Sequence, residues 1–168
     1  MTTTAISATL WAGMYTIRYS WDETMEHAVH VAIVVRHPGP RYGLRALLTT
    51  LPGVEVMWEA TNGQEAVVSA GACQPDVVLV DLQMPGREGL EAIRHIKERW
   101  PNVRVVALTL YGGDEARIMA AGADGFLVKG CATEELLLAI SPTLRYTTPP
   151  DSPRTPGRWK AALGGQTA

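Results

Sequence analysis

The sequence predicts an α/β fold: a doubly wound, five-stranded parallel sheet with helices on both faces. Three observations carry the prediction. Short β-rich apolar runs alternate with stretches of helical spacing from residue 29 to residue 140. The runs 29–35 and 76–80 are almost continuously apolar, as strands buried on both faces are. Pro, Gly and Asn punctuate the changes of period, at Pro38, Pro40, Pro52-Gly53, Asn62-Gly63, Pro85-Gly86, Pro101 and Gly122.

The elements follow in order. Residues 29–35 form the first strand, and Leu44, Leu47, Leu48 and Leu51 then recur at helical spacing until Pro52-Gly53. Residues 54–58 form the second strand. Asn62-Gly63 opens a helix with Ala66, Val67 and Ala70 on one face. The most apolar strand, 76–80, delivers Asp81 at its carboxyl end, and Met84-Pro85-Gly86 makes the loop after it. Leu90, Ile93, Ile96 and Lys97 continue as a helix that stops before Pro101. Residues 103–108 form a fourth strand ending at Thr109, and a short Ala-rich helix over about 114–121 closes at Gly122. Residues 125–128 form the fifth strand and end at Lys129. Thr133 is the expected N-cap of the last helix, with Glu134 and Glu135 favourable in its first turn.

Composition sets the limits. The chain has 168 residues, 46% hydrophobic and 19% charged, with a net charge of −2. It is too apolar to be wholly disordered, and a strongly basic balance, the footprint of a nucleic-acid binder, is absent. No apolar run approaches the roughly 20 residues of a membrane-spanning helix. Cys73 and Cys131 have no metal-type spacing and read as reduced thiols; with no basic region ahead of the weak apolar stretch 5–17, a cytoplasmic location is expected. Three zones separate: an N-terminal extension (1–28), the regular domain (29–140), and a mildly basic tail (141–168) with Pro142, Pro149, Pro150, Pro153 and Pro156. The proline-rich tail reads as mostly irregular, with no output domain in it, so direct nucleic-acid binding is not expected. Trp11, Trp21 and Trp159 lie outside the domain and are costly to leave solvated, which suggests docking or a homodimer contact.

In folds of this class ligands bind outside the carboxyl ends of the strands. Arg36, Asp81, Thr109 and Lys129 stand at the ends of the first, third, fourth and fifth strands, more polarity than packing requires. The run from Pro75 to Leu90, with Asp81 and Met84-Pro85-Gly86 inside it, resembles the receiver domain of bacterial response regulators. So do Ala107-Leu108-Thr109, the segment from Ala121 to Lys129, and His37-Pro38. The resemblance spans 29–140 and is closest to receivers that precede a helix-turn-helix domain. It implies a flavodoxin-like (βα)5 receiver fold and signalling through protein contacts, with a histidine kinase or another protein as partner and no enzyme activity. Asp81 matches the phosphoacceptor, Thr109 the hydroxyl that contacts the phosphoryl group, Lys129 the lysine that pairs with it, and Phe126 the aromatic switch position. A carboxylate nucleophile needs cations to offset transferred charge, which a lysine supplies.

The departure lies just before His37-Pro38. Such receivers carry two adjacent acids there, which help hold Mg²⁺; here the positions read Val35-Arg36. Mg²⁺ demands hard oxygen ligands, so its binding is expected to be weak or absent, and no cofactor is expected. Three readings of Arg36 are open: a bidentate pair with Asp81, a side chain turned to solvent, or a guanidinium that replaces the metal against an incoming anion. Two functions follow. One is an atypical receiver that works by protein contact without Mg²⁺-assisted phosphorylation. The alternative is a conventional phosphoacceptor modified on Asp81 by a histidine kinase. Leu110, bulky where a small residue is usual, either narrows access to Asp81 or is plain variation. His27, His30 and His37 lack a fourth ligand for a metal site, Gly112-Gly113 reads as a turn, and Gln83 stands where a phosphohydrolase of similar topology has a second aspartate.

Overall fold

The computed structural model describes residues 28–141. The expectations for the N-terminal extension and the tail, and for Trp11, Trp21, His27 and Trp159, lie outside the described residues. Within them the chain runs β1 (Val29–Val34), α1 (Pro38–Thr49), β2 (Val54–Ala60), α2 (Gly63–Ala72), β3 (Val77–Asp81), α3 (Glu88–Arg99), β4 (Arg104–Thr109), α4 (Glu115–Ala120), β5 (Gly125–Val128) and α5 (Thr133–Ile140). A single 3₁₀ turn, Gly112–Asp114, precedes α4. The sheet order is β2-β1-β3-β4-β5 and every pairing is parallel. The expected doubly wound fold is what forms.

Two apolar layers hold it, and strand alternation decides which side chain enters which. Ala32, Val34, Val78, Val80, Val105, Ala107 and Phe126 face the side covered by α2, α3 and α4, where Ile93, Ile96 and Ile118 meet them. Val31, Ile33, Val35, Val77, Leu79, Val106, Leu108 and Leu127 face the side covered by α1 and α5, against Leu48, Leu136, Leu137 and Ile140. Ile33, Leu79 and Ile93 are wholly buried, each contributing about 1.5–3 kcal/mol. Trp58 and Trp100 pack against the first layer, and the Trp58 indole N–H donates to the Cys73 carbonyl at 2.9 Å.

Local chemistry explains the helix ends. α1 begins at Pro38, where the missing N–H is one of the unpaired donors of any first turn. Asn62 caps α2 by accepting from Glu65 N–H at 2.9 Å. The Glu65 carboxylate reaches back to the N–H and hydroxyl of Thr61, both at 2.7 Å, and these bonds hold its pKa below the usual glutamate range. Thr133 is not the cap of α5: Gly130 turns the chain at φ +87°, so Ala132 takes the cap position, no side chain caps the helix, and Thr133 is its first residue. α4 is abbreviated to 6 residues, as the short interval from Thr109 to Lys129 requires.

Candidate functional site

Around β1 the sheet order reverses, with β2 on one side and β3 on the other. A crevice therefore opens between the carboxyl ends of β1 and β3. Val35 and Arg36 leave β1 there, and Asp81 ends β3 beside them. Alternation carries Val35 and Asp81 to the α1/α5 side of the sheet, with Lys129, just past β5, on the same side. Arg36 and Thr109 fall on the opposite parity.

Side-chain contacts follow that division. Asp81 is 1% exposed. Its Oδ2 accepts from Lys129 Nζ at 2.7 Å, and its Oδ1 accepts from Gln83 N–H at 2.9 Å, a local turn of the Asx kind. Lys129 Nζ also donates to Gln83 Oε1 at 2.8 Å. Asp81, Gln83 and Lys129 thus form a closed triangle in which the buried carboxylate is neutralised and both its oxygens are used.

Arg36 is not paired with Asp81. It leans the other way, with Nη1 3.8 Å from Glu88 Oε2 at the start of α3, and both side chains are half exposed. Arg36 lies in the bend between β1 and α1, beyond the last strand residue Val34. The β1–α1 turn is pinned from the opposite direction. Arg41 donates through Nη1 to the carbonyls of Val35 and Arg36, at 3.0 and 3.2 Å, and through Nε to Glu59 at 3.1 Å. Arg45 adds a second bond to Glu59 at 2.8 Å.

Thr109 is 3% exposed, and its hydroxyl is spent locally: Oγ1 donates to the Tyr111 carbonyl at 3.0 Å and accepts from Tyr111 N–H at 3.2 Å. Phe126 is buried among Ala107 and Ile118. Leu110 projects 41% exposed and does not line the cleft beside Asp81. Sequence reading set Asp81 and Lys129 at one sheet edge, and the two side chains meet there at 2.7 Å. It placed Val35, Arg36, Thr109 and Phe126 at the same sheet edge without resolving their faces, and it missed Gln83, Glu88 and Arg41. Gln83 had a signal, since a residue two places after an aspartate is where an Asx turn delivers an N–H. The Arg36–Glu88 approach had none, because it links distant parts of the chain.

Comparison with known proteins agrees with this geometry. A family profile described as the response regulator receiver domain matches residues 31–141. The chain is 37% identical over 114 residues to the response regulator GacA of Pseudomonas viridiflava, covering 67% of this chain and 53% of that one. It is 39% identical over 114 residues to the response regulator UvrY of Escherichia coli K12, covering 67% and 52%. The chain thus spans about half the length of the curated relatives it matches. Among solved structures, a two-component response regulator of the LuxR family from Aurantimonas sp. SI85-9A1 superposes with a TM-score of 0.65 and 34% identity, covering 74% of this chain and 91% of that one. The response regulator domain of Thermotoga maritima CheB gives 0.61 and 27%, covering 68% and 94%. No helix among the described residues is long and apolar enough to cross a membrane.

Proposed function

We propose, from the premise that this chain belongs to the response regulator receiver family, that it is an atypical receiver which signals through protein contacts without Mg²⁺-assisted phosphorylation. Receivers are signalling domains, and the coarse function follows from membership alone. The finer reading rests on one observation. Val35, 1% exposed, lies on the face of the sheet that holds Asp81, where the acid of a conventional receiver would stand.

The chemistry of the donor set supports it. Mg²⁺ takes hard oxygens in near-octahedral geometry, usually with one or two carboxylates. Here Val35 offers methyl groups, Arg36 a cation, and both oxygens of Asp81 already accept hydrogen bonds. Glu88 lies near Arg36, 3.8 Å from its Nη1. These residues do not fit the ion. What the chain's own groups do is hold one resting arrangement: Lys129 pairs with Asp81 at 2.7 Å, and Arg41 fixes the turn that carries Val35 and Arg36. The partners of such a module are proteins, a histidine kinase or a downstream regulator among them.

Mass spectrometry of Asp81 after incubation with acetyl phosphate, with and without Mg²⁺, tests the reading. The expected result is no Mg²⁺-dependent acyl phosphate, and unchanged Asp81 and Lys129 amide signals on adding beryllofluoride with Mg²⁺. Stoichiometric, Mg²⁺-dependent modification of Asp81 would return the chain to the conventional class. The double substitution Val35→Asp, Arg36→Asp should create Mg²⁺ binding where the parent has none.

A further inference from the structure

On the α1/α5 side the two helices do not close over the sheet, and a cleft of about 300 Å³ remains between them. Its walls are apolar: Val35, Leu44 and Leu47 on one side, Leu108, Leu127 and Leu136 on the other. Its polar end is Lys129 with Asp81. Gly43 of α1 lines it too, and a Cβ there would meet nothing within 4 Å. A glycine inside a helix costs about 1 kcal/mol relative to alanine, so α1 carries a weak position at the point where the cleft is open. With valine at position 35 the floor beside Asp81 is hydrocarbon, where an acid would have made it hydrophilic.

We propose that this cleft binds a small neutral apolar molecule bearing one hydrogen-bond-accepting oxygen. The volume lies at the lower end of the range for small-molecule sites, about 300–1,000 Å³. The head group follows from charge. The ammonium of Lys129 has three protons, and two are taken by Asp81 Oδ2 and Gln83 Oε1. The third is left for an acceptor. Its charge is already balanced by Asp81, so an anionic head would set a second negative charge beside a buried carboxylate. A ketone or amide oxygen meets the remaining proton without that repulsion, and the apolar body covers leucine surface. Cys131, a partly buried thiol, sits in the cleft wall and reports on occupancy. The proposal stands on the cleft and is independent of whether Asp81 accepts a phosphoryl group.

The full chain is titrated with 2-acetonaphthone and, as a matched anion, 2-naphthoate, followed by amide NMR and by the rate of Cys131 alkylation. The ketone should bind with a sub-millimolar Kd, shift the Lys129 and Leu136 amides, and slow Cys131 alkylation several-fold while Cys73 reacts unchanged. The naphthoate should bind at least tenfold more weakly. Gly43→Leu fills the open wall and should weaken ketone binding at least tenfold while keeping or raising Tm, which separates a blocked site from a misfolded chain. Lys129→Met should weaken the ketone and narrow its margin over the naphthoate. Failure of the ketone to bind the full chain up to its solubility limit overturns the proposal, whether the cleft is empty or covered by another part of the chain. Equal binding to Gly43→Leu, or preference for the naphthoate, overturns it as well.

Discussion

Replacing Lys129 by methionine tests whether the Asp81–Lys129 pair holds the corner together. Methionine keeps most of the stem and removes the ammonium. Asp81, 1% exposed, is then left with a single hydrogen bond, from Gln83 N–H at 2.9 Å. Removing one partner of a buried ion pair costs about 3–5 kcal/mol, most of it the penalty of the stranded charge. The Lys129 side chain is 22% exposed, so water reaches that end of the pair. The expected loss is accordingly about 2–3 kcal/mol. In urea denaturation followed by circular dichroism, with a slope of about 1–3 kcal/mol per M, that is a midpoint lower by roughly 1–2 M. The double variant Asp81→Asn, Lys129→Met should regain about half of the loss, because an amide carries no charge to strand. Asp81→Asn alone should cost less than Lys129→Met, since the partly exposed lysine can reach solvent. A midpoint shift below about 0.3 M for Lys129→Met, or a double variant no better than the single one, would refute the reasoning.

Two further outcomes follow from shifted ionisations. Thr61 holds the Glu65 carboxyl below its usual range, so the bonds stabilise the fold fully above the ordinary glutamate pKa, about 4.3, and lose that contribution as pH falls through the lowered value. Glu65→Gln should therefore reduce stability at pH 7 and flatten its decline in acid, read as Tm against pH. Burial first, and Glu135 second, push the Cys131 thiol up, so its alkylation should gain rate only at a pH above the ordinary thiol range, about 8.5. Glu135→Gln should move that onset down, and an onset unchanged by the substitution would remove Glu135 as a cause.

Most of the fold was legible because each strand announces itself twice, by apolar content and by the breaker that follows it. Val77–Asp81 is buried throughout, and a sequence run so apolar has few other places to sit. Thr133 shows where local signals stop: the residue type suits a cap, yet the positive φ of Gly130 shifts the helix start by one position. The site was legible to the level of the sheet edge, because a parallel sheet presents its functional residues where the strands end. Which face each strand residue takes was also available, from the two-residue period, but Arg36 lies in the bend past β1, where that period no longer decides. What no pattern carried was the choice of partner. Arg36 meets Glu88 across a turn, Arg41 caps the carbonyls of Val35 and Arg36, and Thr109 spends its hydroxyl on its own turn. Those depend on rotamers and on helices placed by distant contacts.

With Val35 and Arg36 at the end of β1, the proposed reading bears on the electrostatics of the whole corner. Several carboxylates crowded at one strand edge repel, and that repulsion is relieved when a dication arrives, so a conventional receiver is poised for input. Here the same edge is balanced as built, with Asp81 against Lys129 and Arg36 near Glu88. A phosphoryl group adding close to two negative charges at Asp81 would meet a lysine whose one charge Asp81 already balances, and an arginine that lies near Glu88. To stabilise it, at least one existing pair must open, and the buried pair at 2.7 Å is the costlier to open. A neutral guest in the cleft requires no such break, since it takes the one lysine proton left over and leaves both pairs intact. On the reading proposed above, the corner is read by contact more readily than by charge.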